Sequence, residues 1–159
     1  MQIFFTKEQE PEKRICVLPE TAKRFIDLGI DVAVEKDIGL SLFLANDLYS
    51  EIGAEIVADK DSFLSSSDIV CRINKPKIEE ISILKEGSLH ISFLDPFKEV
   101  EIVNEFVKAS ISSISMELIP RITRAQKMDA LSSQANLAGY AAVLTASNFL
   151  NKSFPMMMT

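Results

Sequence analysis

Glu20-Thr-Ala-Lys-Arg-Phe-Ile-Asp-Leu28, then Gly29, then Ile30-Asp-Val-Ala-Val-Glu35: no other run says as much about the architecture. Pro19 stands just ahead of it, where the first turn of a helix tolerates a missing N–H. Residues 20–28 read as a helix and residues 30–35 as a strand, with Ile and Val set against Asp and Ala. A helix, one glycine and a strand form an αβ connection, because glycine accepts the left-handed residue that closes a helix. The junction recurs twice: residues 42–52, Gly53 and residues 54–58; then residues 78–86, Gly87 and residues 89–94.

The rest of the chain fits the alternation. Residues 1–5, 68–73 and 111–118 read as strands. Residues 99–109 read as a helix with Val100, Ile102, Val103, Phe106 and Val107 on one side. Residues 129–151 form a long helix rich in small residues, in which Gly139 is expected to mark close packing. Right-handed crossovers then give an α/β fold: an open, mostly parallel sheet with helices on both faces, flavodoxin-like or Rossmann-like.

Composition narrows the function. The 159 residues suit one domain with a sizeable core, and 47% hydrophobic with 25% charged residues is ordinary for a globular protein. A net charge of −6 argues against a nucleic-acid partner, which calls for a basic surface. Cys16 and Cys71 lie far apart with no ligand-spaced neighbour, so no metal site is expected and both read as buried thiols in a reducing compartment. The N-terminus meets charge too early for a signal peptide, and no apolar run reaches the roughly 20 residues of a membrane helix, so a soluble chain is expected.

In open parallel sheets, ligands bind at the carboxyl ends of the strands. Those ends carry Thr6-Lys7-Glu8, Glu35-Lys36, Asn74-Lys75, Asp95 and Glu117, followed by Pro120-Arg121, with Arg14 on the first connecting loop. Thr6, Asn74, Asp95 and Arg121 are expected on one rim. Residues 121–132 are the densest polar run: Arg121, Gln126, Asp129 and Ser132 at the mouth of the last helix. Asp129 can cap that helix, a glutamine amide both donates and accepts, and Arg121 can hold an anion side-on. His90, the only histidine, falls inside a strand and reads as structural. No catalytic triad is evident. The five glycines never form G-x-G-x-x-G, so the phosphate-cradling loop of a dinucleotide site is absent.

The chain resembles the N-terminal domain of the alanine dehydrogenase and pyridine nucleotide transhydrogenase group. The likeness runs from the first strand and Lys7-Glu8, through Glu12-Lys-Arg14-Ile-Cys-Val-Leu-Pro19, and is densest from Pro120 to Tyr140. Alanine dehydrogenases need a lysine and a histidine where this chain has Asn74 and Asp95, so the resemblance favours the proton-translocating NAD(P) transhydrogenases. It implies that residues 1–151 are the N-terminal lobe of the alpha subunit. Residues 152–159 would begin the connection to a dinucleotide-binding lobe missing here.

It further implies that Arg121, Gln126, Asp129 and Ser132 help to bind NAD near its nicotinamide. NADP would sit on a partner component, and a membrane component would couple hydride transfer to proton movement. Its place would be the cytoplasmic side of a bacterial inner membrane. No side chain here is assigned a catalytic role, and the chain alone is expected to be inactive. A homodimer is expected from the apolar surface that a separated lobe exposes. The alternatives are an alanine dehydrogenase-like lobe and a stand-alone small-ligand module.

Overall fold

The computed structural model describes residues 1–154. Contacts divide the chain into one compact unit, Met1–Met116, and a second, Glu117–Thr159.

The first unit is an all-parallel sheet of six strands in the order β3-β2-β1-β4-β5-β6. The strands are β1 (Gln2–Phe5), β2 (Asp31–Glu35), β3 (Glu55–Val57), β4 (Ile69–Cys71), β5 (Leu89–Ser92) and β6 (Ser112–Ser115). The helices between them are α1 (Pro19–Asp27), α2 (Asp47–Ser50), α3 (Lys60–Ser66), α4 (Ile78–Ile81) and α5 (Val100–Lys108). Gly29, Gly53 and Gly87, the residues that join helix to strand, have φ of 79°, 93° and 76°. These are left-handed values that a Cβ resists.

Side-chain alternation along the central strand divides the core in two. Phe4 joins Val70, Leu64 of α3, Ile81 of α4 and Ile102 and Phe106 of α5 on one face. Ile3 and Phe5 join Val32, Val34, Ala22 of α1 and Tyr49 of α2 on the other. Each large apolar side chain so buried contributes about 1.5–3 kcal/mol. Tyr49, fully buried, donates its hydroxyl to Val17 O at 2.9 Å.

Several expected elements are shorter than the sequence pattern indicates. Residues 42–52 are not one helix: a tight turn at Leu40–Leu42 and a left-handed Phe43 (φ 59°) precede the brief α2. Asn46 exchanges two 2.8 Å hydrogen bonds with Asp37, one of them from the Asp37 backbone, and this local ring delays the helix. The helix expected over 78–86 stops at Ile81, and the Lys85 N–H is taken by Leu64 O at 3.2 Å. The last strand ends at Ser115 and gives way to a tight turn at Met116–Leu118. On α5 only Ile102 and Phe106 are buried, whereas Val100 and Val107 face solvent.

In the second unit, a 3-10 segment Thr123–Met128 leads into α6 (Ala130–Phe149). The long helix is present as expected, but it buries no residue. A Cβ added at Gly139 would meet nothing within 4 Å, so the close packing expected there is not found. No described helix is long and apolar enough to cross a membrane.

Candidate functional site

Arg121, Gln126, Asp129 and Ser132 line a single concavity of about 540 Å³ in the second unit. Pro120 and the extended Ile122 lead into the 3-10 segment that carries Gln126. Asp129 ends that segment and caps α6: its Oδ1 accepts the Ser132 N–H at 2.8 Å. The cap satisfies one of the N–H groups left free at a helix start. The Ser132 side chain, then its backbone N–H, holds the Asp129 carboxyl below the usual range, and the Arg121 charge adds to this.

Thr123, Ser133 and Asn136 line the same concavity and were not singled out from sequence. For Ser133 and Asn136 a signal was available: positions 129, 132, 133 and 136 recur at helical spacing and share one face. Arg121, Gln126 and Ser132 are exposed, so their donors meet solvent or a ligand at little desolvation cost.

The first unit has its own concavity, about 440 Å³, at the carboxyl ends of β1 and β4. Strand order reverses between these two strands, the point where open α/β sheets bind ligands. Glu8 braces the gap. Its Oε1 accepts the Ile73 N–H at 2.6 Å, and its Oε2 accepts Asn74 N and Nδ2 at 3.2 and 2.9 Å. Glu35 in turn accepts the Lys7 N–H at 2.8 Å. Arg14 is paired with Glu12 at 2.6 Å, and Lys75 with Glu99. Thr6, Asn74 and Asp95 follow the ends of β1, β4 and β5 and so share this unit's rim. Arg121 belongs to the second unit, and Glu117 falls in the turn after β6.

His90 is fully buried on β5. Its ring centroid lies 5.2 Å from that of Phe106, and its Nε2 is 3.2 Å from Ser92 Oγ. Burial, with the Arg72 charge, lowers its pKa to about 3, which keeps it neutral. Cys16 and Cys71 are half-buried free thiols, and burial raises both pKa values, Cys71 to about 12. Among the described residues no group of three or more His, Cys, Asp or Glu side chains is placed to hold a metal ion.

Three relatives frame this geometry. The chain is 37% identical over 165 residues to an NAD(P) transhydrogenase subunit alpha chain of Rhodospirillum rubrum, matching all of this chain and 43% of the relative. It is 28% identical over 136 residues to alanine dehydrogenase 1 of Staphylococcus aureus, covering 85% of this chain and 36% of that protein. The solved structure of transhydrogenase from Sinorhizobium meliloti superposes with a TM-score of 0.89 at 38% identity, over all of this chain and 48% of that one. The chain thus spans under half the length of each. Residues 5–138 match the family model described as alanine dehydrogenase/PNT, N-terminal domain. With a match over most of its length, the chain belongs to the alanine dehydrogenase/PNT N-terminal domain family.

Proposed function

We propose that the chain is the N-terminal lobe of the alpha subunit of an NAD(P) transhydrogenase, and that Arg121, Gln126, Asp129 and Ser132 orient NAD(H) there. In this reading residues 1–151 form the lobe, and residues 152–159 begin the connection to a dinucleotide-binding lobe of the same subunit. Residues 155–159 lie outside the described residues. NADP is carried by a partner component, and a membrane component couples the exchange to proton translocation at the cytoplasmic side of a bacterial inner membrane.

One observation carries the reading: four residues picked from sequence line one concavity at the head of α6, in a chain 37% identical to a transhydrogenase alpha relative. The donor set fits the nicotinamide end of the cofactor. The Gln126 amide can pair with a carboxamide in both senses. Arg121 adds a planar donor fork. Asp129, fixed by Ser132, sets the first turn of α6 and with it Ser132, Ser133 and Asn136. The set does not fit the pyrophosphate, because no glycine-rich turn is present.

Bound NAD(H) supplies the hydride, and this chain's residues supply position, for which a misplacement of about 1 Å costs about a hundredfold in rate. An alanine dehydrogenase reading is disfavoured at Asn74, whose side chain is tied to Glu8, and at Asp95. The test is Gln126→Ala and Arg121→Ala in the intact enzyme. The proposal expects hydride transfer to slow by about ten- to hundredfold, with a smaller change in NADH affinity. Unchanged turnover in both variants would remove the assigned role.

A further inference from the structure

Glu80 takes only one edge of the Arg72 guanidinium, through Nη1 at 2.7 Å. Nε and Nη2 are buried and meet no acceptor among the described residues, and the side chain is only 8% exposed. These two nitrogens carry parallel N–H bonds, the edge of the fork that grips two oxygens of one anion. Buried donors are as a rule hydrogen-bonded, so an unpaired fork edge calls for an acceptor. Thr6 Oγ1 is buried without a partner as well. Thr6 stands one register step past the Phe5–Cys71 pair, beside Arg72 on the neighbouring strand.

Arg72 forms part of the wall of the 440 Å³ concavity between β1 and β4. Five basic side chains line that concavity against four acidic ones, in a chain whose net charge is −6. Most of the acids are engaged. Glu8 accepts the Ile73 and Asn74 N–H groups, Glu12 is paired with Arg14, and Glu80 with Lys60 and Arg72. Lys75 is drawn away to Glu99. Lys7, Lys77 and Glu10 have no ion pair among the described residues. The uncommitted charge is therefore mainly positive, and it converges from the loops that follow β1 and β4.

We propose that this concavity binds a phosphate dianion. Two of its oxygens accept from the Arg72 Nε–Nη2 edge, the Thr6 hydroxyl donates to a third, and the Lys7 and Lys77 ammonium groups complete the shell. Two free cations beside the fork favour a dianion over a carboxylate, because attraction grows with the charge product. The site uses neither Asn74, whose amide is tied to Glu8, nor Asp95, the positions at which alanine dehydrogenases differ from this chain. All its residues belong to the first unit, so it stands independently of the proposed function.

Calorimetric titration of the purified chain with sodium phosphate at fixed ionic strength tests this. Glycerol phosphate and sodium acetate are parallel titrants, the first to separate a phosphate ester from free phosphate as the source. Saturable one-to-one binding of phosphate is expected, with acetate at least about tenfold weaker, since it lacks the second charge and the third oxygen. Arg72→Met with Glu80→Leu removes the fork together with its counter-charge and is expected to abolish binding with unchanged circular dichroism. Thr6→Val and Lys77→Ser leave that pair in place and are each expected to weaken binding about tenfold. Glu10→Gln, which lifts a repelling charge, is expected to tighten it. A wild-type chain with no saturable phosphate binding overturns the proposal. So does binding that Thr6→Val and Lys77→Ser leave unchanged, or acetate bound as tightly as phosphate.

Discussion

Arg72 donates through Nη1 to Glu80 Oε2 at 2.7 Å, and both side chains are largely withdrawn from water, 8% and 14% exposed. Lys60 completes the group with a 2.5 Å contact to the other Glu80 oxygen. The pair joins the end of β4 to α4 beneath the β1–β4 concavity, so it ties a short helix to the sheet that positions the rim.

Removing one partner leaves a buried charge without compensation. Glu80→Ala should therefore destabilise the chain by about 3–5 kcal/mol, while Arg72→Met combined with Glu80→Leu should recover most of it. Urea unfolding of the three proteins measures both.

The same pair makes stability fall in acid. Burial alone would raise the Glu80 carboxyl, but the Arg72 charge and the hydrogen bonds from Lys60 and Arg72 outweigh it and hold the pKa at about 2. Because the folded value is depressed, the stabilisation is present above the unfolded value of about 4.3 and is lost as pH falls toward 2. Glu12, held at about 2 chiefly by its hydrogen bond from Arg14, acts in the same direction. Unfolding midpoints measured across this window should slope less steeply in Glu80→Gln than in the wild type.

At the head of α6, Asp129→Ala should fray the first turn. Amide hydrogen exchange should accelerate at Ser132 and Ser133, and Asp129→Asn should retain most of the protection, since asparagine also caps. In the intact enzyme, Asp129→Ala should then lower turnover along with Gln126→Ala.

Alone, the chain should show no transhydrogenase or dehydrogenase activity and bind NADH weakly or not at all. A few donors to one ring do not offset the roughly 4–15 kcal/mol lost on immobilising a ligand. Calorimetric titration of NADH into the purified chain checks this; saturable one-to-one binding at micromolar concentration would contradict it.

Much of the sheet could be read from three glycines. Gly29, Gly53 and Gly87 all adopt the backbone that an αβ junction demands, and the strand after each is present. Helix lengths were less legible, because they depend on hydrogen bonds made outside the helix itself. The Asp37–Asn46 ring and the Leu64 carbonyl that captures Lys85 N–H are not visible as periodicity. The Val100 and Val107 pattern on α5 overstated the buried face, since hydrophobicity does not say how wide a stripe the sheet covers. Around the candidate site, the run from Arg121 to Ser132 stood out by residue type. Ser133 and Asn136 share a helical face with Asp129 and Ser132, a spacing legible in the sequence, whereas Thr123 precedes the helix and joins them only through the concavity the fold forms.

The two edges of the sheet bear on how this chain behaves at high concentration. β3 offers three residues, among them the exposed Glu55, and β6 offers four, three of them serine. Edges so short and polar are poor templates for a further strand. Runaway addition of strands from one copy to the next is thereby discouraged.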